Sequence, residues 1–234
     1  MIKPAFFFTF LLSFFCIVAS NYAADTSVTS APIKVACVGD SITAGAGAPK
    51  GKSYPAQLQS LLGPGWKVQN FGRSGRTMLR KGDNSYWKEK NLQKAEDFKP
   101  NVVIIMLGTN DSKPRNWVHE NEFITDYRDM VKLFQALDTK PRIYLCHVPT
   151  VIEPNKYKIS ETNSIIIRQR IDDLAKEMNL EVIPMDKAYG NDLSVLKDKD
   201  DNVHPNAQGA LELAQTAAKA LTASGATQPI HAAN

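Results

Sequence analysis

Four short segments of this 234-residue chain carry side chains that could act on a substrate. Three are polar turns containing glycine: Gly39-Asp40-Ser41, Asn70-Phe71-Gly72-Arg73-Ser74-Gly75 and Gly108-Thr109-Asn110-Asp111. The fourth is Asp201-Asn202-Val203-His204-Pro205-Asn206. An Asp and a His three apart around a tight turn can bring a carboxylate beside the imidazole, and that contact selects the tautomer that offers the other ring nitrogen as a base. Each segment alone also has an ordinary explanation. Gly, Asn, Asp and Ser favour turns because they accept left-handed backbone angles and bond their own amides, and Asp-x-x-His can be a helix-capping turn with a solvent-facing His. Whether they do chemistry depends on whether the fold gathers them.

The elements around these segments predict that it does. Five apolar, strand-like runs alternate with helical stretches: Lys34 to Val38, Lys67 to Phe71, Asn101 to Leu107, Arg142 to Val148 and Glu181 to Met185. Helical periodicity marks Ser53 to Leu62, Glu120 to Leu137, Glu161 to Met178 and Ala207 to Leu221. Strands alternating with helices imply a parallel α/β sheet. The third run lacks alternation, as a strand buried on both faces does, and is expected at the sheet centre. Right-handed crossovers then cover both faces with helices and leave the carboxyl ends of the strands on one rim, where ligands bind. All three glycine-containing turns follow strand ends. The fourth segment precedes the last helix.

Composition sets the outer bounds. With 43% hydrophobic and 22% charged residues, the 25.9 kDa chain has the profile of one globular domain. Its net charge of +4 is spread without runs of one sign, so nucleic-acid binding has no compositional support. Lys3, an apolar run from Ala5 to about Ala19 and the small residues Ser20, Ala23 and Ala24 read as a signal peptide over 1–24. The alternative, an uncleaved anchor, falls short of the roughly 20 residues needed to span a bilayer, so no stable membrane insertion is expected after cleavage. Cys16 follows Phe14 and Phe15, which argues against lipid attachment there. A linker at 25–31, a domain at 32–222 and a disordered tail at 223–234 complete the expected organisation, with the mature chain a secreted or periplasmic monomer. Cys37 and Cys146 fall on strands separated by a third, about 10 Å apart and too far for a disulfide. No His/Cys/carboxylate spacing marks a metal, the Gly45-Ala46-Gly47-Ala48 stretch lacks the phosphate-loop pattern and reads as a flexible rim, and no cofactor is implied.

Together, the four segments resemble the ordered blocks of the GDSL, or SGNH, hydrolase family, over about Ile33 to Leu221. The resemblance implies a three-layer α/β/α, flavodoxin-like fold, in agreement with the rhythm of elements. It also implies a carboxylic ester hydrolase with Ser41 as nucleophile, His204 as base and then acid, and Asp201 as the group that orients His204. The oxyanion would be held by the amides of Ser41 and Gly75 and by the side chain of Asn110, with Gly72 as the alternative to Gly75. Asp40 and Asp111 are expected to hold turns together.

The neighbouring loops carry Arg73, Arg76, Tyr86, Trp87, Lys113, Arg115, Asn116 and Trp117. Flat aromatic faces beside hydrogen-bonding groups suit sugar rings, so Arg73, Arg76, Trp87 and Trp117 are the expected substrate contacts, although both tryptophans could instead seal the core edge. His147 ends a strand near the rim and could touch substrate, while an ordinary hydrogen-bonded role is the simpler account; His119 opens a helix. No long apolar loop offers an acyl slot, which points to O-deacetylation of a carbohydrate, in the manner of the family's acetylxylan, rhamnogalacturonan or sialate esterases. The alternatives are a lysophospholipase or thioesterase of the same family and a non-catalytic glycan-binding module.

Overall fold

The computed structural model describes residue 1 and residues 31–196 and 201–223. The expected signal peptide, most of the expected linker and almost all of the expected tail therefore lie outside the described residues. From Ala31 onward the elements run β1 (Ile33–Gly39), α1 (Ser41–Ala44), α2 (Tyr54–Leu62), β2 (Trp66–Asn70), α3 (Lys90–Asp97) and β3 (Val102–Met106), followed by α4 (Pro114–Trp117), α5 (Glu120–Gln135), β4 (Arg142–Cys146), α6 (Glu161–Met178), β5 (Glu181–Ile183) and α7 (Ala207–Ala223). The strands form one parallel sheet in the order β2-β1-β3-β4-β5, the doubly wound order of flavodoxin-like folds.

The sheet separates two cores. On one face Ala36, Val38, Val103, Ile105 and Leu145 meet Phe123, Tyr127 and Met130 of α5 and Ile167 and Ile171 of α6. On the other, Val35, Cys37, Ile104, Met106 and Tyr144 meet Tyr54 and Leu58 of α2 and Leu213, Ala214 and Ala217 of α7. Successive residues of β3 point to opposite faces and every one of them is buried, so the strand reads as an unbroken apolar run. That strand is the sheet centre, as its composition implies. Cys37 and Cys146 sit on β1 and β4 with β3 between them, both buried and unpaired, and burial pushes the Cys37 thiol up to about 12.

Two departures from the sequence reading have physical causes. α3 carries too few apolar residues to announce itself: only Leu92 and Ala95 are buried, and Glu89, which precedes it at the cap position, makes no side-chain cap. β5 spans three residues at the sheet edge, where a short strand leaves few unpaired amides and carbonyls.

Because β1 pairs with β2 on one side and β3 on the other, the chain leaves the neighbouring carboxyl ends of β1 and β3 in opposite directions. This switch point opens a crevice just beyond Gly39 and Met106. Ser41 follows β1 there and Asn110 follows β3.

Candidate active site

Ser41 is the first residue of the short helix α1, and Asp40 caps it by accepting the Ile42 amide at 3.0 Å. The second oxygen of Asp40 faces the Asn110 side-chain amide at 3.3 Å, and that amide also donates to the Arg76 carbonyl at 3.1 Å. One carboxylate thus fixes the serine turn and orients the asparagine. Burial pushes the Asp40 carboxyl up to about 6, against the bonds from Ile42, Thr109 and Asn110. Asp111 fastens the next layer by accepting the amides of Met78 at 3.0 Å and Leu79 at 2.7 Å, and burial, with the Asp40 charge adding to it, raises its carboxyl to about 7. The second turn is tied to the first where the Arg73 amide donates to the Gly39 carbonyl at 2.9 Å and the Asn70 side chain donates to the Thr43 carbonyl at 2.7 Å.

The fourth segment arrives from the start of α7, which Asn206 caps by accepting the amides of Gln208 and Gly209. Asn202 takes left-handed angles, φ 54°, and lets the backbone turn tightly enough for Asp201 Oδ1 to accept both the His204 amide at 2.8 Å and His204 Nδ1 at 2.8 Å. With Nδ1 carrying its proton toward the carboxylate, Nε2 is the acceptor, and it lies 2.8 Å from Ser41 Oγ. All three side chains are buried: Ser41 is 7% exposed, His204 6% and Asp201 1%. Burial alone would raise the Asp201 pKa, but the His204 amide and ring and the Tyr157 hydroxyl outweigh it and hold the carboxyl below its ordinary range. The four segments, 163 residues apart at their extremes in Ser41 and His204, meet at one rim.

The two glycines of the second turn differ. The Gly72 amide donates to Asn70 Oδ1 at 2.8 Å and is therefore engaged. Gly75, with φ 80°, lines the cleft beside Ser41 and Asn110, and among the described residues neither its amide nor that of Ser41 has an acceptor. Of the two glycine amides, only that of Gly75 is left open toward the cleft among the described residues.

The cleft encloses about 380 Å³ and is walled by Ala46, Ser74, Thr109, Lys113, Tyr157, Ile159 and Val203 around Ser41, Gly75, Asn110 and His204. The expected substrate contacts need correction, because none of Arg73, Arg76, Trp87 and Trp117 lines it. Arg76 pairs with Glu89 at 2.6 Å, and Arg73 approaches the same carboxylate at 3.7 Å from an exposed position. Trp87 donates to the Met78 carbonyl while Arg80 stacks on its ring, and Trp117 packs edge-on against Phe123 in the core. The Arg76 charge and both rings are engaged within the second and third connections. The stretch at Gly45 to Ala48 is also more tightly held than a flexible rim: a side chain at Gly47 would strike the Pro205 carbonyl and His204 Cβ. Tyr86 is buried and His147 lies outside the cleft.

Sequence reasoning missed Tyr157. Its hydroxyl donates to Asp201 Oδ2 at 3.0 Å, and its ring meets the His204 ring edge-on with centroids 4.9 Å apart. The connection that bears it is pinned to the histidine turn by Asn202, which donates to the Pro154 carbonyl, and to the third turn by Asn163 of α6, which donates to the Ser112 carbonyl. A tyrosine in a long connection carries no local signal of these contacts. Among the described residues no group of three or more His, Cys, Asp or Glu could hold a metal ion.

Comparison with known proteins gives this geometry a lineage. An acetylxylan esterase of Xylanibacter ruminicola is 39% identical over 211 residues, covering 81% of this chain and 43% of that protein, so the chain spans less than half the length of this curated relative. A carbohydrate acetylesterase from Sinorhizobium meliloti shares the fold with a TM-score of 0.65 at 19% identity, over 82% of this chain and 99% of that one. The inhibitor-bound aryl esterase of M. smegmatis has a TM-score of 0.65 at 18% identity over the same shares, 82% and 99%. The GDSL-like lipase/acylhydrolase profile matches residues 37–211, a span that holds all four segments, and the chain belongs to that family.

Proposed function

We propose that this chain is a serine esterase that removes acetyl or similarly short acyl groups from hydroxyls of a carbohydrate. The observation that carries the reading is the unbroken contact from Asp201 through His204 to Ser41, ending in a cleft beside two amides that have no acceptor among the described residues. A serine hydroxyl is a weak nucleophile until a base takes its proton as it attacks. In the proposed reaction Ser41 Oγ bonds to the ester carbonyl carbon while His204 Nε2 takes the proton, and Asp201 stabilises the resulting imidazolium. The carbonyl oxygen becomes an oxyanion bonded by the Ser41 and Gly75 amides, which have no acceptor among the described residues, and by the Asn110 side chain once its NH2 exchanges the Arg76 carbonyl for the oxyanion. Collapse breaks the ester C–O bond, and His204 returns its proton to the departing sugar hydroxyl. Water, deprotonated by His204, then releases the acid from Ser41.

Of the residues that line the cleft only Ala46, Ile159 and Val203 are aliphatic, and the absence of a long aliphatic wall among them supports a short acyl group. The acetylxylan esterase relative supports a carbohydrate alcohol. Export belongs to the same proposal and rests on the basic, apolar and small residues of 1–24; among the described residues no helix is long and apolar enough to cross a membrane. A p-nitrophenyl ester series tests the acyl preference: rapid turnover confined to acetate and its near homologues is expected, whereas preference for octanoate indicates a lipid substrate and no turnover of any ester leaves only binding. A serine-directed phosphonate should label the parent and not Ser41→Ala; equal labelling overturns the assignment of the nucleophile.

A further inference from the structure

Beside the cleft lies a second cavity of about 520 Å³, lined by Lys113, Pro114, Arg115, Lys156, Tyr157 and Lys158. Its size falls within the roughly 300 to 1,000 Å³ of small-molecule sites. Lys113 and Tyr157 wall both spaces. Of the two, Tyr157 also touches the base and its partner: the ring meets that of His204 edge-on with centroids 4.9 Å apart, and the hydroxyl donates to Asp201 Oδ2 at 3.0 Å. The ring is seated on a small apolar cluster of Val151, Ile159 and Val203. One side chain thus stands between the second cavity and the pair Asp201 and His204.

The chemistry of the cleft sends the parts of an ester to different sides. The carbonyl oxygen must turn toward the Gly75 amide and Asn110, while the departing alcohol oxygen must lie within reach of His204 Nε2, which returns its proton. The alcohol half therefore leaves along the His204 side of Ser41, where Tyr157 leads to the second cavity. We propose that this cavity seats the sugar of the alcohol half, with Tyr157 both the wall it packs on and the positioning residue that ties this wall to the catalytic carboxylate. The choice of a sugar rests on the function proposed above, whereas the placement of the alcohol half rests on the contact of Tyr157 with His204. A neutral sugar asks for a flat apolar face beside N–H donors and not for net charge. Tyr157 supplies the face, and Lys113, Arg115 and Lys158 supply donors, with Arg115 oriented by its pair with Asp83. The Lys156 ammonium, 5.2 Å from the Tyr157 ring centroid, ends a half-exposed, flexible side chain that can swing aside for a sugar. Contact of the sugar with the ring then helps to hold the hydroxyl on Asp201, so binding remote from the reacting carbon steadies the base.

Esters with a large and a small alcohol half test the assignment. Acetylated xylo-oligosaccharide is compared with vinyl acetate, whose alcohol half is too small to reach from the cleft into the second cavity. Tyr157→Phe keeps the ring and loses the hydroxyl, so kcat should fall severalfold for both esters with both KM values within about twofold of the parent. Tyr157→Leu loses the ring as well, and should raise KM about tenfold for the oligosaccharide ester while that of vinyl acetate stays within about twofold. Pro114→Trp, which crowds the cavity from an exposed lining position, should raise the oligosaccharide KM alone by a similar factor. An oligosaccharide KM unchanged in both Tyr157→Leu and Pro114→Trp overturns the proposal, as does an equal rise for vinyl acetate. The deacetylated oligosaccharide, titrated by calorimetry into the full chain, should bind the parent and Tyr157→Phe alike and Tyr157→Leu about tenfold more weakly. If the parent hydrolyses no ester, the esterase reading fails while this titration still decides the subsite: no binding by the parent, or equal binding by Tyr157→Leu, overturns it.

Discussion

Two histidines stand near the carboxyl edge of the sheet, each bonded to carboxylate, and only one of them keeps a ring nitrogen for a hydroxyl in the cleft. His204 gives Nδ1 to Asp201 and leaves Nε2 to Ser41. His147, just past β4, spends both ring nitrogens on carboxylates, Nδ1 on Asp186 at 2.7 Å and Nε2 on Asp172 at 2.8 Å. Burial alone would lower the His147 pKa, but the two carboxylates raise it above the ordinary 6.5, so the protonated imidazole is favoured in a structural clamp between β4, α6 and the segment after β5. The pair teaches that a carboxylate partner does not identify a catalytic histidine. What matters is the second nitrogen, and whether it faces a hydroxyl in a cleft or a second acid.

The sharpest way to break this contrast is to remove each imidazole. His204→Ala and Ser41→Ala should each lower kcat toward p-nitrophenyl acetate by at least about 10⁴-fold, with far-ultraviolet circular dichroism unchanged. His147→Gln should leave kcat/KM within about twofold, since neither of its nitrogens faces the cleft; a tenfold loss would place His147 in the chemistry. Next in size is Asn110→Ala, expected to cost about 10²- to 10³-fold in kcat, the usual effect of losing one oxyanion donor.

Smaller effects sharpen the account of how the base and the donors are held. Asp40→Asn keeps the cap on Ile42 but can turn a second amide donor toward Asn110, and should cost about tenfold in kcat by misorienting that side chain. Tyr157→Phe removes one bond to Asp201 and should lower kcat only severalfold, as loss of a single partner of an otherwise well-bonded carboxylate does, about 1 kcal/mol. The smallest effect belongs to the clamp. Because pairing raises the folded-state pKa of His147 above 6.5, its stabilisation is complete below that value and is lost as pH rises through the raised pKa. His147→Gln should therefore destabilise the fold by about 1 to 2 kcal/mol at pH 5.5 and by less at pH 9, as read from thermal unfolding. A deficit that grows with pH would contradict the clamp.

The parts of the site made by local chemistry were open to reading from the chain itself. The cap that Asp40 makes on Ile42 and the contact of Asp201 with His204 span two and three residues. Short loops and side-chain preferences therefore determine them before any packing. The strand-and-helix rhythm and the central position of Val102 to Met106 were legible for the same reason, because burial on both faces writes an apolar run into the sequence. The family blocks joined these pieces in order. Sequence order carries no distances, however, and what lay beyond it depended on contacts between distant residues. Arg73, Arg76, Trp87 and Trp117 have the composition of a sugar site, yet Glu89, the Met78 carbonyl and Phe123 claim them inside their own connections. Tyr157 has no such signature and reaches Asp201 across 44 residues only because both loops dock on one rim. That Lys113, Arg115, Lys156 and Lys158 line one cavity is likewise invisible along a chain whose charges look evenly scattered. Sequence by itself determined which residue types could do the chemistry and which turns would hold them. Tertiary structure alone decided which charges and rings remain available to a substrate, because availability is what is left after every neighbour in space has been satisfied.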